Sequence, residues 1–265
     1  MSPKSHLASL PNPAHGRGMS ALPGHLYIVA TPIGNLRDIT LRARDTLASV
    51  DLIACEDTRH SGGLLAHLEI KKPLISLHQH NEAMRSAQLI ASLQQGQSIA
   101  YISDAGMPGV SDPGQRLVTA CRGADIPVEV LPGPSAVLTA LIGSGFPADA
   151  FYFGGFLPVK SGQRERVLTA ALDADETSVF FETPHRLETT LALLVRIAPD
   201  RLICVARELT KKFEEYRRGP VREVAAHYLA HPAKGEICLL IAGADLPKWA
   251  AQNGSPTTAF PNDTP

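Results

Sequence analysis

The sequence predicts an α/β protein built from two consecutive α/β domains, and three observations lead there. From Leu26 onward short apolar runs alternate with longer amphipathic ones, the pattern of strands joined by helices across a largely parallel sheet. After residues 143–146 that pattern starts again. The loops that follow the first, fourth and fifth expected strands are rich in Gly and Pro, the composition of segments that bring backbone close to a ligand.

In order, the first domain (25–143) is expected to hold strands at 26–30, 51–55, 73–77, 98–102 and 128–131. Between them residues 41–50, 82–93, 115–124 and 135–142 repeat apolar side chains at helical spacing. The second domain (144–245) has strand patterns at 151–156, 178–181, 202–206 and 237–241 and helical ones at 164–172, 186–197 and 221–229. Residues 213–219 follow the strand ending near Arg207 with too little chain for a crossover helix. They are therefore expected to pair antiparallel and make the second sheet mixed. Residues 1–24, rich in Pro, Ser, Gly and His, read as a disordered leader, and 246–265, rich in Pro, Asn, Gly, Ser and Thr, as a disordered tail.

Composition narrows the function classes. A chain of 265 residues with 44% hydrophobic and 19% charged residues is balanced for folding. A net charge of −1 gives no general affinity for phosphate backbones, so any RNA site must be a local basic patch. No run reaches the ~18 apolar residues of a membrane span, and the leader lacks the apolar middle of a secretory signal. Cys55, Cys121, Cys204 and Cys238 lie far apart, without a C-x-x-C pair, and read as buried free thiols. A cytoplasmic protein with no membrane partner is expected.

In an open parallel sheet ligands bind beyond the carboxyl ends of the strands. TPIGN (31–35), SDAGMPG (103–109) and LPGPSA (131–136) occupy those positions. None is a phosphate-binding G-x-x-x-x-G-K-[ST] loop or a G-x-G-x-x-G dinucleotide turn. The residues alone thus point to a cleft for a small ligand, with tight βα turns as the plainer alternative.

At these same positions the chain resembles the tetrapyrrole methylase superfamily and, within it, the ribosomal RNA small subunit methyltransferase I family. The resemblance is carried by LYIVATPIGNLRDIT (26–40), DLIACEDTRHS (51–61), SDAGMPGVSDPG (103–114), LPGPSA (131–136), GGFLPVK (154–160), FETPHR (181–186), ARELTKKFEE (206–215) and KGE (234–236). It implies a class III methyltransferase fold in which S-adenosylmethionine binds folded between the two domains. Pro32, Asp104, Gly106, Met107, Ser135 and Ala136 would line it from the first domain, and Phe181, Glu208 and Leu209 from the second. It also implies a homodimer, the small ribosomal subunit with its 16S RNA as partner, no DNA partner, and 2′-O-methylation of a cytidine ribose as the reaction. The chain departs from the family in its short polar end, where members often continue into a helical extension, and in Met107, where other members carry Thr.

Methyl transfer to a ribose hydroxyl is an in-line displacement in which alignment matters most, and a base adds roughly 10²–10⁴-fold. Asp57 with Arg59 and His60 is the preferred catalytic group; His78, His80, Asp104 and Glu208 are others, and Asp57 with Arg59 could instead cap the helix that follows. His78 and His80 could hold a metal, touch substrate or sit in a plain loop; with no third ligand in view, no metal is expected. Lys160, Arg164 and Arg166, and the cluster Lys211, Lys212, Arg217 and Arg218, are the densest basic features and the candidates for RNA phosphates, or else a solvated surface. Two other functions stay open: a small-molecule methyltransferase acting on a tetrapyrrole precursor, and a non-catalytic ribosome-assembly protein that keeps the fold.

Overall fold

The structure, a computed structural model, describes residues 21–246; of the expected leader and tail, 1–20 and 247–265 lie outside the described residues. Strands β1 (Leu26–Val29), β2 (Leu52–Cys55), β3 (Leu74–Ser76), β4 (Ile99–Ile102) and β5 (Val128–Leu131) form a wholly parallel sheet in the order β3-β2-β4-β1-β5. LYIV and IAYI are unbroken apolar runs because β1 and β4 are buried along their whole length, as central parallel strands must be.

Helices α1 (Leu41–Ser49), α2 (Thr58–His67), α3 (Glu82–Gln94), α4 (Gln115–Gly123) and α5 (Ala136–Ser144) alternate with these strands. Three of them begin where a side chain caps the free amides of the first turn: Thr40 accepts from Ala43 N at 3.0 Å, Asp57 from Arg59 N at 2.8 Å and Ser135 from Leu138 N at 3.4 Å. Helix α2 was not among the helices expected from apolar spacing. Its sequence TRHSGGLLAH carries two adjacent glycines, each costing about 1 kcal/mol relative to Ala, and only Leu64 and Leu65 as buried hydrophobics. The Asp57 cap and those two leucines hold it.

The second sheet comprises β6 (Phe151–Phe156), β7 (Thr177–Glu182), β8 (Leu202–Arg207), β9 (Glu215–Pro220) and β10 (Ile237–Ile241) in the order β6-β7-β10-β8-β9. It is mixed: β6 runs parallel to β7, while β10 is antiparallel to both β7 and β8, and β9 to β8. The antiparallel strand expected at 213–219 starts two residues later. Phe213 stays exposed in a turn closed by Glu214 N donating to Lys211 O at 3.2 Å.

Period-two alternation gives this sheet two apolar faces. Ile237, Leu239 and Ile241 of β10 pack with α6 (Ser161–Asp173), α7 (Pro184–Ile197) and α8 (Val221–Ala230). Cys238 and Leu240 point the other way, with Val179, Cys204 and Ala206, and meet Val137, Ala140 and Leu141 of α5. Helix α5 therefore covers the far face of the second sheet. At about 1.5–3 kcal/mol for each large side chain buried, this contact fixes one sheet against the other.

Candidate active site

Strands β4, β1 and β5 are neighbours, so the three unusual loops emerge side by side. Thr31 N donates to Gly106 O at 2.9 Å and Gly106 N returns to Thr31 O at 3.1 Å, stitching the first loop to the second. Gly106 has φ +77°, a backbone few residues but glycine adopt. The third loop closes on the same edge, since Gly133 lies where a Cβ would stand 2.8 Å from the Ala30 methyl.

Facing these loops, the second domain contributes the end of β6 with Phe156, Phe181 and Glu182 at the end of β7 with Thr183 and Pro184 after it, Leu209 after β8, and Gly235 and Glu236 before β10. The two walls enclose a cavity of about 340 Å³, within the range of about 300–1,000 Å³ usual for small-molecule sites. A larger groove of about 740 Å³ beside β3, bordered by Glu69, Lys71 and Lys72, touches none of the three loops, so the interdomain cavity is the better candidate. The walls are clasped near Gly34. Asn35 N donates to Thr210 Oγ1 at 3.0 Å, and a Cβ on Gly34 would fall 2.8 Å from that hydroxyl and 2.9 Å from Leu209 O.

The electrostatics are one-sided. Asp112, Glu182 and Glu236 line the cavity, and no Lys, Arg or His does among the described residues. Glu182 is fully buried and accepts from Thr183 N at 2.9 Å and Thr190 Oγ1 at 2.8 Å, with Arg186 Nε 3.2 Å away. Lys211 Nζ bridges Glu236 and Glu208, 2.9 Å from each, and its hydrogen bond holds the Glu208 carboxyl below the usual range. Burial, then the charges of Glu56 and Asp104, raise Asp112 to about 6. Burial raises Glu56 as well, with Asp104 adding to it. Apolar walls that carry carboxylates, and no lining cation among the described residues, admit a small ligand that carries positive charge and oppose a polyphosphate.

Of the expected cofactor residues, Gly106, Met107, Ser135, Ala136, Phe181 and Leu209 meet on the cavity wall. Pro32 is buried between Thr31 and Ile33, and Ile33 takes the place on the wall. Asp104 lies behind it, its Oδ1 accepting from Asp57 N at 3.2 Å; Glu208 braces the Lys211 bridge without lining the cavity. Asp57 accepts from Arg59 N and pairs with Arg59 at 3.1 Å, the capping alternative, while Arg59 and His60 are exposed. None of these three lines the cavity.

His78 is tied into a turn, its N donating to Asn81 Oδ1 at 2.9 Å, and no group of three potential metal ligands occurs among the described residues. Lys160, Arg166 and Lys212 are exposed, with Lys212 Nζ 5.4 Å from the Phe213 ring centre. Arg164 is a correction: it is buried, donating to Thr189 Oγ1 at 3.0 Å, Thr190 Oγ1 at 3.1 Å and Val159 O at 3.1 Å, so it is no surface phosphate contact. Lys211, Arg217 and Arg218 are likewise engaged, with Glu208 and Glu236, Glu215, and Ser144 O. The four cysteines are buried and free. Sequence reasoning missed Asp112, Phe156 and Glu236; Asp112 lay in plain sight at the end of the GVSDPG segment, but nothing local said that its loop turns back toward the second domain.

Comparison with known proteins bears on this site. Residues 25–225 match the tetrapyrrole (corrin/porphyrin) methylases. The chain is 49% identical over 234 residues to a ribosomal RNA small subunit methyltransferase I of Synechocystis sp., covering 87% of this chain and 84% of that one. It is 49% identical to its counterpart in Haemophilus influenzae, covering 85% and 81%. Among solved structures, uroporphyrin-III-C-methyltransferase from Thermus thermophilus superposes with a TM-score of 0.58 at 26% identity over 83% of this chain and 92% of that one. A diphthine synthase superposes with a TM-score of 0.66 at 12% identity, covering 82% and 90%, a likeness of fold alone.

Proposed function

This chain belongs to the tetrapyrrole methylase family, and from that premise we propose that it transfers a methyl group from S-adenosylmethionine to the 2′-hydroxyl of a cytidine in small-subunit (16S) ribosomal RNA. The relatives at 49% identity are named for small-subunit ribosomal RNA, which favours RNA over a tetrapyrrole as the acceptor. The observation that carries the reading is the interdomain cavity, where six of the nine expected cofactor residues converge.

The cavity fits the cofactor. Apolar walls from Ile33, Met107, Val137 and Phe181 suit an adenosine, and with no lining cation among the described residues nothing on the wall repels a sulfonium or an ammonium. When bound, S-adenosylmethionine supplies an activated methyl group. The chain's own part is to hold the two walls in register through Gly34, Asn35 and Thr210 and to present the acceptor oxygen in line. Lys160, Arg166 and Lys212, exposed on the second domain, serve as phosphate contacts that position the RNA without reading its sequence. The near-neutral chain leaves recognition to the folded shape of the subunit as much as to charge. The same reading holds the protein to be a cytoplasmic homodimer; four buried reduced thiols suit that compartment, and the exposed apolar residues Leu138 and Ile142 on α5 offer a second copy a surface to cover.

The test is transfer of labelled methyl from S-adenosylmethionine to small ribosomal subunits from cells lacking this protein, followed by nuclease digestion. Label in a 2′-O-methylcytidine is expected. Label on a tetrapyrrole precursor and none on RNA would overturn the assignment.

A further inference from the structure

Resting on the methyl-transfer reading, we propose that Asp112 is the group that accepts the proton of the acceptor hydroxyl. Three carboxylates line the cavity, and two are already engaged: Glu182 by Thr183, Thr190 and Arg186, Glu236 by Lys211. Asp112 has no hydrogen bond or ion pair to its carboxylate among the described residues, which leaves it to act on whatever enters. Asp57 and Asp104, the strand-end acids that the sequence brings forward, are spent on a helix cap and on the Asp57 amide.

The loop that carries Asp112 reaches across to the second domain. Ser111 Oγ lies 3.1 Å from where a Cβ on Gly155 would be, so this loop touches the end of β6 across the cleft. The next residue, Phe156, lines the same cavity yet is 54% exposed. A nucleoside entering between the two meets an aromatic face on one side and a free carboxylate on the other. The loop is held firmly, because Glu82 Oε1 accepts from Gly114 N at 2.9 Å and Arg116 N at 3.2 Å, and Gly109 N donates to Pro113 O at 3.1 Å.

The groups that face Asp112 are acidic: Glu56 beyond β2, Asp104 beyond β4, the Tyr101 hydroxyl of β4, and Glu182 and Glu236 across the cavity. With its pKa raised to about 6, Asp112 is mostly ionised at neutral pH and a stronger base than an ordinary aspartate. In the step, the ribose oxygen bonds to the methyl carbon as the carbon–sulfur bond breaks. The electron pair of that bond leaves with sulfur to give a neutral thioether, and the hydroxyl proton passes to Asp112, which releases it to solvent.

Asp112→Asn is compared with wild type in single-turnover methyl transfer to small ribosomal subunits across about pH 5 to 8, a span that brackets the expected ionisation. Calorimetric binding of S-adenosylmethionine and carbon-13 carboxyl titration of the free protein accompany it. The expected variant binds S-adenosylmethionine as wild type does, transfers methyl roughly 10²–10⁴-fold more slowly, loses the acid limb of the profile, and lacks one carboxyl resonance titrating near 6. A retained rate and acid limb would overturn the proposal and move the role to Glu56; equal loss of binding and rate would overturn it by making Asp112 a cofactor ligand. If Asp112→Asn does not fold, Asp112→Glu decides the matter, a reduced rate with the acid limb kept supporting the role and a lost limb refuting it. Failure of wild type to methylate any RNA overturns the functional reading and this role with it, an outcome distinct from a wild-type rate in the variant.

Discussion

The two walls of the cleft differ in what they are made of. The first domain offers mostly loop backbone with a carboxylate left free, held by the mutual hydrogen bonds of Thr31 and Gly106 and by the Glu82 brace. The second offers side chains locked into one another: Glu182 with Arg186 and Thr190, and Lys211 between Glu208 and Glu236. A parallel sheet ends all its strands at one edge and collects loops there, whereas a mixed sheet alternates strand ends with strand starts and must build its wall from paired side chains. The difference separates a first wall that leaves a carboxylate free from a second whose carboxylates are tied into ion pairs.

The comparison breaks most readily at Arg186. Arg186→Leu leaves the Glu182 carboxylate buried without its cation, and loss of one member of a buried pair costs about 3–5 kcal/mol; urea unfolding should show that loss, and an unchanged midpoint would mean that the second wall is not braced as described. Gly34→Val strikes the join between the walls, forcing a side chain into Lys211, Thr210 and Leu209 O. A displacement near 1 Å there should slow methyl transfer by about 10²-fold while costing only about 1–3 kcal/mol of stability.

Lys211→Gln sharpens the contrast with a smaller effect of about 0.2–1 kcal/mol at neutral pH. The Glu208 carboxyl is held below its usual range chiefly by the Lys211 hydrogen bond. Such a group contributes stability above its unfolded pKa, and that contribution disappears as pH falls through its folded value. Wild type should therefore lose more stability than the variant between neutral pH and about pH 3, below the ordinary glutamate value, as measured by urea midpoints at both.

How much could be read beforehand followed the range of the interactions involved. Apolar runs such as LYIV and ICLLI marked their strands to within a residue or two, because burial on both faces needs continuous hydrophobicity. Helix α2 escaped notice because a cap and two leucines, not periodicity, hold it. Arg164 looked like part of a basic loop, yet Thr189 and Thr190, 25 and 26 residues further on, draw it inward. A charge reads the same in sequence whether solvent or a buried hydroxyl receives it.

By itself the sequence determined the α/β class, the mixed character of the second sheet, the three loops that gather at the cavity and, through its motifs, the methylase family. These depend on local patterning, on chain length between elements and on motif residues that local sequence displays. Only the tertiary structure decided that α5 covers the far face of the second sheet, that the walls meet closely at Gly34, and which of the acidic side chains remain unpartnered. Those outcomes depend on contacts between residues tens to more than a hundred positions apart, such as Asn35 with Thr210 and Val137 with Leu240, and their energies exist only once both sheets are in place.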